Sequence, residues 1–336
     1  MNTQVRPLIT RQLAVAVALY ALAVASAHAG SPAPATVPPM PPAPMAPPAP
    51  PYMPNSRHHH YDDDESGQAI DERHALKSDA RVHISNVAGS IAVSAWDRNE
   101  AYVTGELGQG AEKLDISGSD SNLEIVVRTP KNSRNVSGTD LRIMLPINAV
   151  ISVDAVSADV IVQGIKGKLA AATVSGELTL SLGSDEVEAR TVSGDVVLQA
   201  PTRICNINTI SGDVRASGPS GKLKLETVSG DAELVGAGAF SDLSLKSISG
   251  DFNVEAALTG DGRMVGETLS GEMRVRLPQA SSAMVTLHTF SGEIRSAFGG
   301  ASSGEDRRER QEFKIGDGRA RVDLSSFSGD IRLEKR

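Results

Sequence analysis

The chain has 336 residues, a formal net charge of −8, a single cysteine and only 3% aromatic residues. The acidic balance disfavours nucleic acid and anionic lipid as partners, and the scarcity of Trp and Tyr argues against a platform that stacks sugars or bases. A lone cysteine, Cys205, excludes an intramolecular disulfide framework, so packing must supply the stability.

Residues 1–29 have the three zones of a secretory signal. Arg6 and Arg11 form the basic start, and the apolar run from Leu13 to Val24 is too short for a membrane-spanning helix. The run ends in Ala27-His28-Ala29, so we predict cleavage after Ala29. The mature protein is then expected to be exported to the periplasm or the cell surface without spanning a membrane.

Residues 30–77 are predicted to be a disordered spacer. Twelve of the 18 prolines lie between Ser31 and Pro54, a composition that favours extended polyproline II geometry. The following run, His58 to Glu65, has imidazoles that can chelate a transition metal. A solvated charge run is the interpretation we favour.

Residues 78–150 are predicted to be a β-rich cap at the N-terminal end of a repetitive array. Leu123 to Val127 and Leu141 to Leu145 have the composition of strands, but their spacing differs from that of the later repeats. A stack of strands needs such a cap because an open end presents unpaired backbone groups.

Residues 151–336 contain an internal repeat of the form apolar, Ser, Gly, acid. Its glycines are Gly176, Gly194, Gly212, Gly230, Gly250, Gly271, Gly292 and Gly329. The first four are 18 residues apart, and the later steps are 20, 21, 21 and 37. We attribute the long last step to a polar insertion at residues 299–312.

Apolar residues recur at offsets −7, −5, −2, +2 and +4 from each glycine; around Gly250 they are Leu243, Leu245, Ile248, Phe252 and Val254. We predict that these five rows point inward and that Thr or Ser at −3, Ser at −1 and the acid at +1 point outward. Each unit then contributes two strands, and parallel stacking at ~4.8 Å buries the apolar side. The glycine is expected to be structural, at a corner with no room for a side chain or with positive φ.

The predicted fold class is therefore all-β, a parallel β-solenoid (β-helix) of ~18–21-residue coils. Stacking aligns the acids into a row, in which Asp195, Asp213, Asp231 and Asp251 are weak candidates for a cation-binding stripe. The interpretation we favour is that these acids satisfy backbone amides at the turns. No cofactor is expected.

The repeated tetrads, each an apolar residue followed by Ser-Gly-Asp or Ser-Gly-Glu, resemble those of a family of exported bacterial proteins of unknown biochemical function labelled adhesins. The segments Trp96 to Glu100 and Val103-Thr104-Gly105 carry the same resemblance. The resemblance covers roughly Ser78 to Arg336. It implies an envelope or surface location, right-handed parallel coils and an adhesive role. It supplies no catalytic residues.

We therefore expect a non-enzymatic cell-envelope module, an adhesin or binding scaffold with an unidentified envelope or surface ligand. The alternatives are a structural scaffold that self-associates through its coil ends and a periplasmic sensor partner. A polysaccharide-acting β-helix enzyme is less favoured, because it needs a non-repeating cluster of carboxylates. His288 is the one histidine of the repeat region, and no catalytic triad or metal-spaced set can be assembled from the sequence.

Overall fold

The computed structural model describes residues 68–130, 138–299 and 310–336, and every regular element in them is a β-strand. The predicted signal, most of the spacer, the His58 to Glu65 run and most of the insertion lie outside the described residues. Within the described ranges no helix is long and apolar enough to cross a membrane.

The strands of the N-terminal half are β1 (Gln68–Ala75), β2 (Arg81–Trp96), β3 (Glu100–Leu107), β4 (Lys113–Ser119), β5 (Asn122–Arg128), β6 (Thr139–Pro146), β7 (Val150–Gln163), β8 (Leu169–Ala172), β9 (Leu178–Ser181), β10 (Glu186–Arg190) and β11 (Val196–Gln199). Those of the C-terminal half are β12 (Ile204–Asn208), β13 (Val214–Ser217), β14 (Gly221–Glu226), β15 (Ala232–Ser249), β16 (Phe252–Ser270), β17 (Met273–Leu277), β18 (Ala283–Ser291), β19 (Ile294–Ser296), β20 (Arg310–Ile315), β21 (Ala320–Ser328) and β22 (Ile331–Lys335).

The repeats form coils that stack in parallel, with one strand of each coil in each of two faces. On the first face, β8, β10, β12 and β14 pair so that Leu169, Val187, Cys205 and Leu223 are successive partners, each 18 residues after the last. On the second face, β9, β11, β13 and β15 pair in the same way. The Ser-Gly-acid segment, which we call the corner, connects the first face to the second in every coil.

The core lies between the two faces. Val187, Ala189, Val196 and Leu198, at offsets −7, −5, +2 and +4 from Gly194, are fully buried, as predicted for those rows. Burial of these aliphatic side chains contributes about 1.5–3 kcal/mol for each large one. Burial of this core therefore supplies the stability that a chain without disulfide bonds must obtain from packing.

Two predicted rows are wrong. Thr and Ser at offset −3 are buried rather than exposed, as Thr191 at 1% exposure illustrates, whereas Val192 at offset −2 lies on the outer side. The reason is that strand alternation continues from −7 through −5 to −3, and the chain turns after that residue. The apolar residue at −2 is therefore carried outward.

The chain order of the coils is rearranged at both ends. Strand β2 lies between β7 on one side and β5 with β6 on the other, so the first coil in sequence is the second in space. Strands β21 and β22 lie between β16 with β17 and β18 with β19. The last Ser-Gly-Asp copy is therefore an interior coil, and the coils do not stack in sequence order up to the end of the chain.

Antiparallel strands cover the outermost coils. Strand β4 pairs with β5, β3 with β6, β1 with β3, and β20 with β18. Strand β1 falls inside the predicted spacer 30–77, so that part of the spacer prediction is wrong. It has few apolar residues, of which Ile70 packs against the core, and backbone pairing with β3 holds the strand along its whole length.

A stack of side chains attaches this cap to the first coils. The guanidinium of Arg73 lies 3.9 Å from the ring centroid of Tyr102, whose ring stacks with that of Trp96 at 6.2 Å. The Trp96 indole donates a hydrogen bond to the carbonyl of Glu100 (2.9 Å), and Arg98 lies over its ring. Stacking and cation–π contacts of this kind contribute about 0.5–1.5 kcal/mol each.

The corner glycines stand directly on one another. A Cβ added to Gly194 or to Gly212 would lie 1.9 Å from the carbonyl oxygen of the glycine one coil before it. The equivalent distance is 2.2 Å at Gly250 and 2.1 Å at Gly329. The neighbouring backbone therefore fills the space that a side chain would need.

We expect Gly212→Ala to destabilise the protein by about 3 kcal/mol or more, because two backbones must separate to admit the methyl group. Gly183→Ala is the matched control, since its nearest neighbour is the Lys166 side chain at 3.6 Å. Urea unfolding of both variants and the parent measures the difference. Equal stabilities of the two variants would contradict the backbone contact at the corner.

A truncated chain that ends at Gly318 lacks β21 and β22. The coil of β16 and β17 then loses its contact with the coil of β18 and β19, because the missing strands lie between them. The buried side chains of Val322, Leu324, Ile331 and Leu333 are lost with it. We expect cooperative thermal unfolding to disappear, whereas deletion of Arg336 alone should leave the melting temperature within about 5 °C. A cooperative parent-like transition in the shorter chain would show that β18 and β19 can pair directly with β16 and β17.

Candidate binding surface at the corner

Three rows of side chains face outward along the corner, and stacking repeats them in every coil. In spatial order the apolar row is Val156, Val174, Val192, Ile210, Val228, Ile248, Leu269, Phe327 and Phe290. The serine row follows it by one residue in each coil. The acid row in the same order is Asp159, Glu177, Asp195, Asp213, Asp231, Asp251, Glu272, Asp330 and Glu293.

The buried hydroxyls at offset −3 fix the corner in the earlier coils. Thr173, Thr191 and Thr209 each accept a hydrogen bond from the amide of the glycine three residues later, at 3.0, 2.9 and 3.1 Å. This is the local side chain-to-backbone bond that threonine forms readily at turns. The hydroxyl row is thus structural and is not a surface for a ligand.

The corner has a different conformation at the next three glycines. Gly230, Gly250 and Gly271 have φ values of 146°, 155° and 137°, and their amides donate to a serine carbonyl of the next coil at 3.3–3.4 Å. Since the glycine amide now points along the stack, the hydroxyls of Thr227 and Ser247 are buried without a hydrogen-bond partner in the described chain. The backbone ladder therefore replaces the threonine bond in these coils.

Aspartates of the acid row link each coil to the next. Oδ1 of Asp195 accepts a hydrogen bond from the amide of Asp213 (2.9 Å), and Asp213 and Asp231 accept from the following acids in the same way. Asp251 accepts from the amide of Glu272 at 2.7 Å. Bonds from a backbone amide to a carboxylate are stronger than neutral ones. We predicted that these acids satisfy backbone amides at the turns. The amide that each aspartate reaches is at the turn of the adjacent coil, not of its own coil.

The two glutamates inside the row, Glu177 and Glu272, bond elsewhere. Glu177 accepts from the Thr179 hydroxyl (3.0 Å), and Glu272 pairs with Arg274 at 2.8 Å and with Arg332 at 3.0 Å. One additional methylene carries the carboxylate past the neighbouring amide. Asp and Glu are therefore not equivalent in this row, although the sequence pattern treats them alike.

Charge is neutralised at one end of the acid row and at one position in its middle. Glu272, Glu293 and Asp330 lie beside arginines of the same or the adjacent coil, at 2.7–3.7 Å, and Asp213 lies 3.8 Å from Arg215. The other five acids form no ion pair with any described residue: Asp159, Glu177, Asp195, Asp231 and Asp251. The row therefore presents mostly uncompensated negative charge over its first coils.

The four aspartates proposed as weak cation ligands are spread over four successive coils. Among the described residues, no group of three or more His, Cys, Asp or Glu side chains is placed to hold a metal ion. Asp195, Asp213, Asp231 and Asp251 lie one per coil, and each gives one oxygen to a backbone amide. They are best described as a hydrogen-bonded charge row.

Reactive side chains elsewhere in the described chain lie at three separate places in the stack: Cys205, the His83–Asp154 pair and His288. Burial raises the pKa of Cys205 to about 12, so its thiol is not a nucleophile at neutral pH. Burial also raises the pKa of the Asp154 carboxyl, and His83 lies 3.8 Å from it. His288 is exposed. These groups lie in separate coils.

The sequence model of the Toastrack DUF4097 family matches residues 75–334. Among solved structures, a "putative lipid binding protein" from Parabacteroides distasonis is 15% identical, with 80% of this chain and 97% of that chain covered and a TM-score of 0.45. A "putative adhesin" from Bacteroides fragilis is 14% identical, with 80% and 98% covered and a TM-score of 0.40. No curated protein matches the chain.

We expect Asp213→Glu to cost about 1 kcal/mol of stability, because it removes the bond to the Asp231 amide. Asp213→Asn retains an acceptor oxygen and should cost less, and Glu177→Asp should gain stability by creating the missing bond. Urea unfolding in chelator, in millimolar Ca²⁺ and in NaCl of matched ionic strength measures all three. If Asp213→Glu is as stable as the parent, the hydrogen bond between the two coils is contradicted. If Ca²⁺ stabilises the parent and NaCl does not, the cation-binding hypothesis for the acid row is supported.

Proposed function

We propose that this chain, which belongs to the Toastrack DUF4097 family, is a non-enzymatic binding module of the bacterial envelope that presents its acid row to a basic or amine-bearing surface. The observation that supports the proposal is the part of that row from Asp159 to Asp251, in which Asp213 alone pairs with an arginine of the described chain. Its carboxylates are held at a constant spacing of ~4.8 Å by the stacking of the coils. A ligand that repeats its own cationic groups can therefore contact several coils at once.

Electrostatics and rigidity favour binding over catalysis at this surface. Each aspartate carboxylate of this stretch is fixed by a bond from a backbone amide, so little side-chain entropy is lost when a partner arrives. One exposed ion pair contributes only ~0.2–1 kcal/mol, but several in a row add up. A catalytic site needs different groups at one place, whereas here the same group recurs in every coil.

The remaining parts of the proposal rest on the sequence. The signal at residues 1–29 supports export, and the proline-rich segment supports a spacer between the folded part and its attachment point. Right-handed coils are expected for parallel strands joined by crossovers. The periplasm and the cell surface remain the two proposed locations.

Polymerisation through the coil ends has less support than binding. The outermost strands β4 and β20 are antiparallel to the coil strands that they cover, and β1 is antiparallel to the covering strand β3. The exposed edge β19 has three residues. Short or charged edges of this kind oppose edge-to-edge addition.

The experiment is sedimentation of the full chain with isolated envelope material at low and high ionic strength. Binding should be saturable and should weaken with salt. The variant Asp195→Asn, Asp213→Asn and Asp231→Asn keeps acceptor oxygens and removes three charges. We expect it to bind about tenfold more weakly.

The matched control carries Asp79→Asn, Asp242→Asn and Asp261→Asn, which make the same change of charge at exposed positions off the row. This control should bind like the parent. Equal binding by both variants would show that net charge, and not the acid row, attracts the partner. Absence of sedimentation with any envelope fraction would contradict the binding function.

A further inference from the structure

The apolar row is exposed most strongly at one end of the stack. Leu269, Phe327 and Phe290 lie in three adjacent coils with exposures of 49%, 53% and 63%. The rings of Phe290 and Phe327 are parallel within 8° and 4.9 Å apart. The earlier members of the row are valines and isoleucines that are partly exposed. A continuous apolar ridge thus runs along the corner.

Nothing in the fold of a single coil requires these side chains to be apolar. The core is closed by the rows at −3 and +2, and the −2 side chain lies outside it. Leaving large apolar groups in water forgoes about 25 cal/mol per Å² of buried surface. A contiguous exposed patch of this type marks a contact with another molecule.

The period of the ridge selects its partner. Its side chains repeat at ~4.8 Å, the distance between neighbouring strands, whereas an extended peptide repeats same-side residues at ~6.6–6.8 Å and falls out of step within two coils. The ridge of a second parallel stack has the same period at every step. A second copy can therefore match each side chain of the ridge with its own equivalent.

The ridge is long enough to align two copies over the whole repeat array. The row from Val156 to Phe290 takes eight steps of one strand spacing, which is about 38 Å.

Charge does not oppose this arrangement. If the two-fold axis runs parallel to the stack, the acid rows of the two copies lie on opposite sides of the contact. Beside the most exposed part of the ridge, Glu272, Asp330 and Glu293 already face arginines. The contact then has an apolar centre and a polar rim, as protein interfaces do.

We infer that the apolar row is a dimer interface in which two copies lie side by side, coil against coil, with Phe290, Phe327 and Leu269 meeting the same residues of the second copy. This inference goes beyond the proposed binding function and does not depend on it. The acid row remains open at the rim for another ligand.

Sedimentation equilibrium of the full chain between about 1 and 200 µM tests the interface. We expect a reversible dimer that the double variant Phe290→Ser and Phe327→Ser weakens at least tenfold, the loss of about 1.4 kcal/mol typical of central interface residues. Met284→Ser is the control, because Met284 is 48% exposed on β18 but off the row. Thermal unfolding checks that both variants remain folded.

Cysteine cross-linking tests the alignment. In the side-by-side dimer, Leu269→Cys lies next to the same position of the second copy and should oxidise to a disulfide-linked dimer faster than Met284→Cys. Cys205 is buried and should not compete. A monomer at 200 µM, a dimer unaffected by the double variant, or equal cross-linking at both positions would each overturn the inference, whatever the chain does with envelope material.

Discussion

The contact on which the rest of the structure depends is that of one corner glycine on the next. The carbonyl oxygen of Gly194 occupies the place where a side chain of Gly212 would begin, and the same holds at each successive corner. Because the corners touch through backbone, the coils cannot slip along one another or separate there. Equivalent residues are thereby held one above another, and every outward row follows from that alignment.

The aspartate bonds are a second consequence of the same contact. A carboxylate on one methylene reaches the amide of the adjacent coil only if the two corners are a single strand spacing apart. Asp195 and Asp213 make that bond, and the longer Glu177 does not. A row of like charges would otherwise repel by ~0.8 kcal/mol per neighbouring pair in water-like dielectric. Each amide bond offsets this cost where it arises.

Much of this architecture could be predicted from spacing alone. The 18-residue period and the two alternating apolar patterns predict two strands per coil and parallel stacking. The glycine that recurs at the corner predicts a close approach of two backbones. What spacing could not decide was the side on which the residue at −2 lies, since Val192 and Val196 are equally apolar. Side-chain size does not decide it either, because Phe252 at +2 is buried whereas Phe290 and Phe327 at −2 are exposed.

The order of the coils at the two ends could not be read from the sequence for a different reason. Every coil carries the same apolar rows, so any coil fits equally well between any two others, and local pattern does not distinguish β18 from β21 as the neighbour of β16. The rearrangement has a physical benefit. It places the terminal coils inside the stack, where both edges are paired, and leaves the outermost positions to internal segments that carry antiparallel covers.

The two proposed contacts do not conflict at the corner, because the character of its rows changes along the stack. Over the first coils the apolar row is formed by small, half-buried side chains, while most of the acids beside it have no ion-pair partner among the described residues. Over the last coils the apolar side chains are large and exposed, while Glu272, Asp330 and Glu293 are neutralised by arginines. The exposed apolar surface is therefore largest where the acid row is neutralised. A surface that binds a charged partner and one that binds its own copy can thus lie on one edge of the molecule, three residues apart in each coil.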